Sequence, residues 1–329
     1  MCFGEITEEA VIVNYRKLGR TGLRVSEISL GSWLTYGNAT EADAAEKTID
    51  RAYELGINFF DTANAYARGE AERVVGKILD KYPRESYVLA TKVFFPMGEG
   101  PNDRGLSRKH VLESANASLK RLGKEYVDIL YCHRPDPETP VYETLRAFDD
   151  LMRQGKVLYM GVSEWSAEQI REALHIADAR LFDRLVVNQP QYSMLYRNIE
   201  EEIIPLGEKE GVGQVVFSPL AQGVLTGKYK PGQALPEGSR ATDPKQNMWI
   251  GNWLKDETLN RVVQLEGIAA ELGMPLSRLA LAWVLRKQNV ASALVGATRV
   301  PQIEENAAAS GVTLEPDVLA AIDAILGEA

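Results

Sequence analysis

The chain has 329 residues, of which 45% are hydrophobic and 25% charged, values that suit a globular protein with a sizeable core. A net charge of -9 argues against broad contact with nucleic acid or an anionic membrane surface, while leaving room for a small basic pocket. Two cysteines, Cys2 and Cys132, and three histidines show no metal-ligand spacing, so neither a disulfide scaffold nor a metal site is expected.

Residues 1 to 13 read as an N-terminal overhang. With Glu5, Glu8 and Glu9 and no basic start, they do not form a secretory signal. No apolar run approaches the ~18 residues of a membrane span, and a cytoplasmic protein is expected. From Tyr15 to Val25 the pattern predicts a hairpin turning at Gly19-Arg20-Thr21-Gly22. Strands and helices then alternate. A strand at Ile28–Gly31 precedes a helix over Ala42–Leu55, capped by Thr40 and stopped by Gly56. Next come a strand at Asn58–Asp61, a helix at Glu70–Leu79 and a strand at Tyr87–Lys92. A helix over Ser107–Leu122 is capped by Ser107 and ended by Gly123. A strand at Val127–His133, a helix at Val141–Gln154, a strand at Val157–Val162 and a helix from Ser166 to about Ala177 follow. The strand Leu185–Gln189 leads to a helix over Asn198–Lys209 that contains Pro205, and then to the strand Gly213–Phe217. A long connection from Ser218 to about Lys255 is rich in Gly, Pro and aromatics. Helices over Glu257–Leu272 and Pro275–Lys287, a strand at Ala293–Gly296, and helices over Pro301–Ala309 and Pro316–Leu326 complete the chain.

These are about eight strand-then-helix units, with strands apolar enough for a buried parallel sheet. No linker divides residues 14 to 329. The natural closure is an α/β (β/α)8 TIM barrel with an N-terminal hairpin and extra C-terminal helices. An open doubly wound sheet would carry a Gly-rich turn after its first strand, where this chain reads Leu30-Gly31-Ser32-Trp33-Leu34. The nearest match, Gly211-Val212-Gly213, precedes a strand instead of following one.

Barrel chemistry sits at the C-terminal ends of the strands. Asp61, Lys92 and His133 end three successive strands, and Tyr66 follows Asp61 on the connecting loop. A partly buried lysine needs a carboxylate, and Asp61 is the obvious partner. An ammonium beside a phenol favours phenolate, so the Tyr66 pKa is expected below its usual ~10, making it a usable acid. The same four residues also admit a plainer reading, an ion pair that only holds the mouth together. Further polar strand ends occur at Ser163-Glu164, Asn188-Gln189, Ser218 to Gly223 and Gly296 to Arg299, with Lys228, Arg240 and Arg299 as basic residues nearby. The last turn enters a helix N-terminus, a common phosphate site in barrels.

Over roughly residues 14 to 327 the sequence resembles the aldo-keto reductases. The resemblance rests on Phe60-Asp61-Thr62-Ala63 with Tyr66, Thr91-Lys92, Asp128 to His133, Gly161-Val162-Ser163, Asn188-Gln189, Ser218-Pro219-Leu220 and Gly296 to Asn306. Arg104 to His110, Tyr126-Val127-Asp128, Arg134-Pro135-Asp136-Pro137 and Gly227-Lys228-Tyr229 are similar to the branch holding potassium-channel β subunits and their bacterial relatives. The resemblance implies NADPH-dependent reduction of an aldehyde or ketone, with the tetrad Asp61, Tyr66, Lys92 and His133. It implies that Ser163, Asn188 and Gln189 hold the nicotinamide carboxamide and that Ser218, Leu220, Gln222 and Lys228 embrace the pyrophosphate. Thr298, Arg299, Gln302, Glu305 and Asn306 would hold the adenosine end, with Gly296 and Arg240 close to the cofactor. Trp33, also placed on the cofactor, would wall the substrate pocket with Tyr36 and Phe94, with Trp249 or Trp253 as further candidates. Two positions depart from the channel branch: His133 replaces an Asn there, and Glu164 stands where those relatives carry a basic residue. The implied partner is a small carbonyl compound, and a homo-oligomer fits as well. A redox-sensing regulatory subunit with slow turnover and a Schiff-base aldolase using Lys92 remain as alternatives.

Overall fold

The computed structural model describes residues 13–33, 36, 42–244, 246–247 and 249–327. The antiparallel hairpin forms from β1 (Tyr15–Lys17) and β2 (Arg24–Ser26). Eight parallel strands close into a barrel: β3 (Ile28–Gly31), β4 (Phe59–Asp61), β5 (Val88–Val93), β6 (Val127–Cys132), β7 (Val157–Ser163), β8 (Val187–Gln189), β9 (Gly213–Phe217) and β10 (Val290–Val295). They pair in chain order, and β10 closes on β3. The outer ring comprises α1 (Ala42–Glu54), α2 (Glu70–Leu79), α3 (Arg108–Leu122), α4 (Val141–Arg153), α5 (Ala167–Arg180), α6 (Ile203–Glu210), α7 (Asp256–Glu271), α8 (Leu276–Leu285), α9 (Val300–Ala307) and α10 (Pro316–Leu326). The expected (β/α)8 barrel with its hairpin and added C-terminal helices is the observed fold.

Two apolar clusters follow from the two-residue period of a strand. Phe59, Val88, Ala90, Ile129, Tyr131, Val187, Val215 and Ala291 fill the barrel interior, and Leu18 and Val25 from the hairpin join them. Their alternating neighbours Phe60, Leu89, Leu130, Cys132 and Val216 pack outward into the helix layer. The hairpin side chains meet the first residues of the strands, so they plug the N-terminal end. The same alternation carried towards the C-terminal end turns Asp61, Lys92 and Gln189 inward.

Local signals explain the helix ends. Ser107 accepts a hydrogen bond from the His110 amide and Gly123 closes α3 with a left-handed φ of 66°. Ser166 and Gln169 form a reciprocal capping box at the start of α5. The Thr40 cap, like residues 1–12 of the overhang, lies outside the described residues, while Val13 is buried and donates its amide to Leu55. Helix α6 begins at Ile203 instead of Asn198. Pro205 has no N–H and is tolerated only in a first turn, which sets the start of the helix just ahead of it. Among the described residues no single helix is long and apolar enough to cross a membrane; α7 and α8 would qualify only together, and they meet at 91° with every residue of α8 but Arg278 buried.

Gly161 on β7 shows how tightly the interior is filled. A Cβ there would meet the Tyr131 ring at 2.5 Å and Val187 at 2.8 Å. Gly161→Ala is therefore expected to destabilise the protein by about 1–3 kcal/mol through overpacking. Chemical denaturation of the two proteins side by side checks this, and equal midpoints would show that the ring yields freely.

Candidate active site

Five strand ends, those of β4 to β8, supply the centre of the site. Lys92, fully buried, forms an ion pair with Asp61 and donates to the Thr62 carbonyl at 2.9 Å. Its third direction reaches the Tyr66 hydroxyl at 3.3 Å. That hydroxyl lies 3.5 Å from His133 Nε2. Gln189 Nε2 donates to the other Asp61 oxygen at 2.9 Å, and Ser163 donates to the Gln189 carbonyl at 2.8 Å. Tyr66 is presented by a turn in which Ala67 and Arg68 both take left-handed backbone angles, with φ of 47° and 53°. The structure thus brings Asp61, Tyr66, Lys92 and His133 into one contact chain.

Burial sets the charges. It works to strip the proton from Lys92, but Asp61 and Tyr66 outweigh it, and the lysine is held protonated more firmly than usual. Burial raises the Asp61 carboxyl against the pull of Lys92 and Gln189. Burial together with the adjacent cations Lys92 and Arg134 holds His133 well below the usual imidazole range, so the ring is neutral. The expectation for Tyr66 needs correcting. Lys92 does pull its pKa down, but the loss of solvent is larger and the phenol titrates above its ordinary value. Tyr66 therefore holds its proton at neutral pH, beside the Lys92 ammonium.

These residues open on a cavity of roughly 1410 Å³ at the C-terminal end of the barrel. That exceeds the ~300–1,000 Å³ of a drug-sized site and leaves room for two ligands. Trp33, Ser163, Gln189, Ser218, Leu220, Gln222, Lys228 and Arg240 line it, as do Gly296, Thr298, Arg299, Gln302, Glu305 and Asn306. Three expected residues are placed elsewhere. Asn188 turns away from the barrel axis and donates to Gln214 at 3.1 Å, because its neighbours Val187 and Gln189 take the inward positions. Tyr36 is buried in the outer core cluster. Phe94 packs against that same cluster, and Phe95 lines the cavity instead with its ring 4.8 Å from His133. β5 ends at Val93, so strand alternation does not decide which of the two adjacent phenylalanines faces the cavity.

Several polar atoms in the cavity wall have no hydrogen-bond partner among the described residues. They are His133 Nδ1 beside the tetrad and, together on the opposite connections, Gln222 Oε1, Ser239 Oγ and Arg240 Nη2. A buried polar atom left this way costs about 1–3 kcal/mol, and a ligand in the cavity would offer the last three a partner. The loop after β9 holds Ser218, Ala221 and Gln222 at φ of 52°, 45° and 59°, a conformation that L-residues adopt only under constraint. Glu164, also left-handed at φ 59°, accepts the Gln191 amide at 2.7 Å. Phe95, Arg134 and Tyr196 also line the cavity and stood outside the expected site. Of these, Arg134 was within reach of sequence reasoning, since it directly follows a strand-end histidine.

The aldo/keto reductase family model matches residues 27–327. The chain belongs to this family. It is also similar over nearly its whole length to proteins named as voltage-gated potassium channel subunit beta. The relative from Arabidopsis thaliana is 44% identical over 95% of this chain and 97% of its own. That from Oryza sativa subsp. japonica is 43% identical with the same coverage, and that from Schizosaccharomyces pombe is 45% identical over 95% of this chain and 93% of its own.

Removing one partner of the Asp61–Lys92 pair leaves a buried charge uncompensated. Lys92→Met is expected to lose about 3–5 kcal/mol of stability at neutral pH. The sign with pH follows from the loss of Lys92, which in the parent pulls the Asp61 pKa down against burial; in the variant the folded carboxyl binds its proton still more tightly. A carboxyl that binds its proton more tightly folded than unfolded stabilises the fold at low pH and loses that contribution as pH rises through the folded value. The deficit of Lys92→Met should therefore shrink between about pH 8 and about pH 5. Denaturant titrations at the two pH values check this, and a deficit that grows towards acid would contradict it.

Proposed function

We propose that the protein is an NADPH-dependent reductase of aldehydes or ketones, with Tyr66 as the proton donor. The observation that carries this reading is the contact chain Asp61–Lys92–Tyr66–His133 opening on a cavity large enough for a dinucleotide and a small substrate. The cavity wall fits that dinucleotide. Ser163 and Gln189 offer polar groups beside the tetrad; the unpartnered Ser239 Oγ and Arg240 Nη2 can donate to a phosphate, and Gln222 Oε1 can accept from a ligand hydroxyl or amino group. Lys228 and Arg299 are exposed cations with no ion pair among the described residues, and Arg299 precedes the N-terminus of α9, which favours phosphate.

When bound, the cofactor supplies the hydride. The protein positions the carbonyl and manages the proton. Tyr66 Oη and His133 Nε2, 3.5 Å apart, can both donate to one carbonyl oxygen. A neutral His133 does this with the proton on Nε2, and its Nδ1 has no acceptor among the described residues to hold the proton there instead. As negative charge develops on that oxygen, the Tyr66 proton transfers to it. Lys92 then faces a phenolate and stabilises it, and Asp61 keeps Lys92 charged and aimed inward. Lys92 has all its directions committed to Asp61, Thr62 and Tyr66, which disfavours its use as a Schiff-base nucleophile.

The likeness to proteins named as channel β subunits supports a second reading, a regulatory subunit that binds the cofactor and turns over slowly. Rapid mixing of the NADPH-loaded protein with an aldehyde separates the two. Repeated turnover follows from the reductase reading, and a single slow oxidation from the regulatory one.

Tyr66→Phe should lose about two to four orders of magnitude in kcat, the range of general acid catalysis, while NADPH binding stays intact. A kcat close to the parent's would remove Tyr66 as the acid. The pH profile of the parent carries a second test. With the Tyr66 pKa raised and His133 neutral throughout, reduction should stay level across ~6.5 and fall only above the usual tyrosine value of ~10. A break near ~6.5 that disappears in His133→Gln would show that the imidazole titrates. For the cofactor, Arg299→Ala should raise the NADPH Kd roughly ten-fold and leave NADH unchanged, since a charge-assisted hydrogen bond to a 2′-phosphate contributes ~1.5–3 kcal/mol. Equal effects on both nucleotides would assign that contact to Arg240 or Lys228.

A further inference from the structure

Four cations line the cavity, and they are not equivalent. Lys228, Arg240 and Arg299 stand on the connections after β9 and β10, where the proposed dinucleotide lies. Arg134 stands on the strand end that carries His133, beside the point where the substrate carbonyl would sit. Its Nη1 donates to the His133 carbonyl at 2.6 Å and, more weakly, to Ser163 Oγ at 3.4 Å. No other nitrogen of the guanidinium has a protein acceptor among the described residues, and the side chain makes no ion pair there. The Phe95 ring touches both groups, with its centroid 5.8 Å from the guanidinium carbon and 4.8 Å from the His133 ring.

The loop behind Arg134 is fixed. Pro135 and Pro137 flank Asp136, whose carboxylate accepts the Leu106 amide at 2.7 Å, the Glu138 amide at 3.0 Å and the Thr139 hydroxyl at 2.8 Å. A guanidinium held this way, with donors still open, is preorganised for a planar two-oxygen anion. We infer that Arg134 anchors a substrate carboxylate, so that the preferred carbonyl compound is a short aldehyde bearing one carboxylate. This rests on the reductase reading above. Glu164, on the neighbouring strand end and also lining the cavity, opposes a second negative group, which limits the substrate to one.

The test compares 4-oxobutanoate with butanal, the same chain without the acid. The parent is expected to favour 4-oxobutanoate in kcat/KM by at least about ten-fold, the scale of a charge-assisted contact. Arg134→Met should bring the two substrates level. Arg134→Lys, which keeps the charge but not the fork, should retain part of the preference and guards against a misfolded variant. Glu164→Gln should widen the preference. A parent without preference, or an Arg134→Met that loses both substrates equally, would overturn the inference and leave Arg134 as a brace for His133 and Ser163. Calorimetric titration of the NADP+-loaded protein with 4-hydroxybutanoate reads the same contact without turnover. Binding weakened roughly ten-fold in Arg134→Met supports it, and equal binding overturns it. Failure of every aldehyde to oxidise NADPH would count against the reductase reading alone, since the titration still reports on Arg134.

Discussion

A fully buried lysine lies against a fully buried aspartate at the C-terminal end of the barrel, and the site is arranged around that pair. In so dry a place neither charge survives alone. Thr62 and Tyr66 complete the shell of Lys92, and Gln189 that of Asp61. The strand alternation that fills the barrel with Phe59, Ala90, Ile129 and Val187 also delivers Asp61, Lys92 and Gln189 to its mouth. Packing and chemistry therefore share one cause. A shift of one residue in any of these strands would send the apolar side chain out of the core and the charged one into the helix layer.

That dependence explains why the Tyr66 phenol keeps its proton beside a cation. A surface tyrosine beside a lysine would titrate low. Here the burial that makes Lys92 a strong electrostatic partner also raises the pKa of the phenol, which stays protonated at neutral pH. Arg134, at the rim, adds positive charge on the His133 side without entering the buried pair. The phenol, the neutral imidazole and the rim cation therefore differ in protonation and charge although they sit within one cluster.

Most of the architecture was legible in the residues. Apolar strands alternating with capped helices are a strong local signal, and Ser107, Gly123 and Ser166 end their helices as read. The inward positions of Asp61 and Lys92 followed from the fold. Legibility failed where the period failed. Asn188 and Gln189 are adjacent polar residues on one strand, so only one of them can face the cavity, and the sequence motif treated them alike. Phe94 and Phe95 lie just past the end of β5, where two-residue counting has no authority. Tyr36 sits on a connection whose path no local pattern sets. The sign of the Tyr66 shift was out of reach for a different reason, since it depends on the balance of solvent loss against one charge.

Seven described residues other than glycine carry a left-handed backbone: Ala67, Arg68, Glu164, Leu181, Ser218, Ala221 and Gln222. All but Leu181 lie on connections at the C-terminal ends of the strands, while the hairpin end, packed with Leu18 and Val25, carries Leu181 alone among the described residues. Such angles cost of order 1–3 kcal/mol each at sites like these. The barrel is thus thermally lopsided. On warming, amide exchange should quicken first around the mouth, with the plugged floor the last region to open. A ligand that settles on the mouth stiffens the weaker half, so its apparent gain in melting temperature reports as much on the restraint of that half as on affinity.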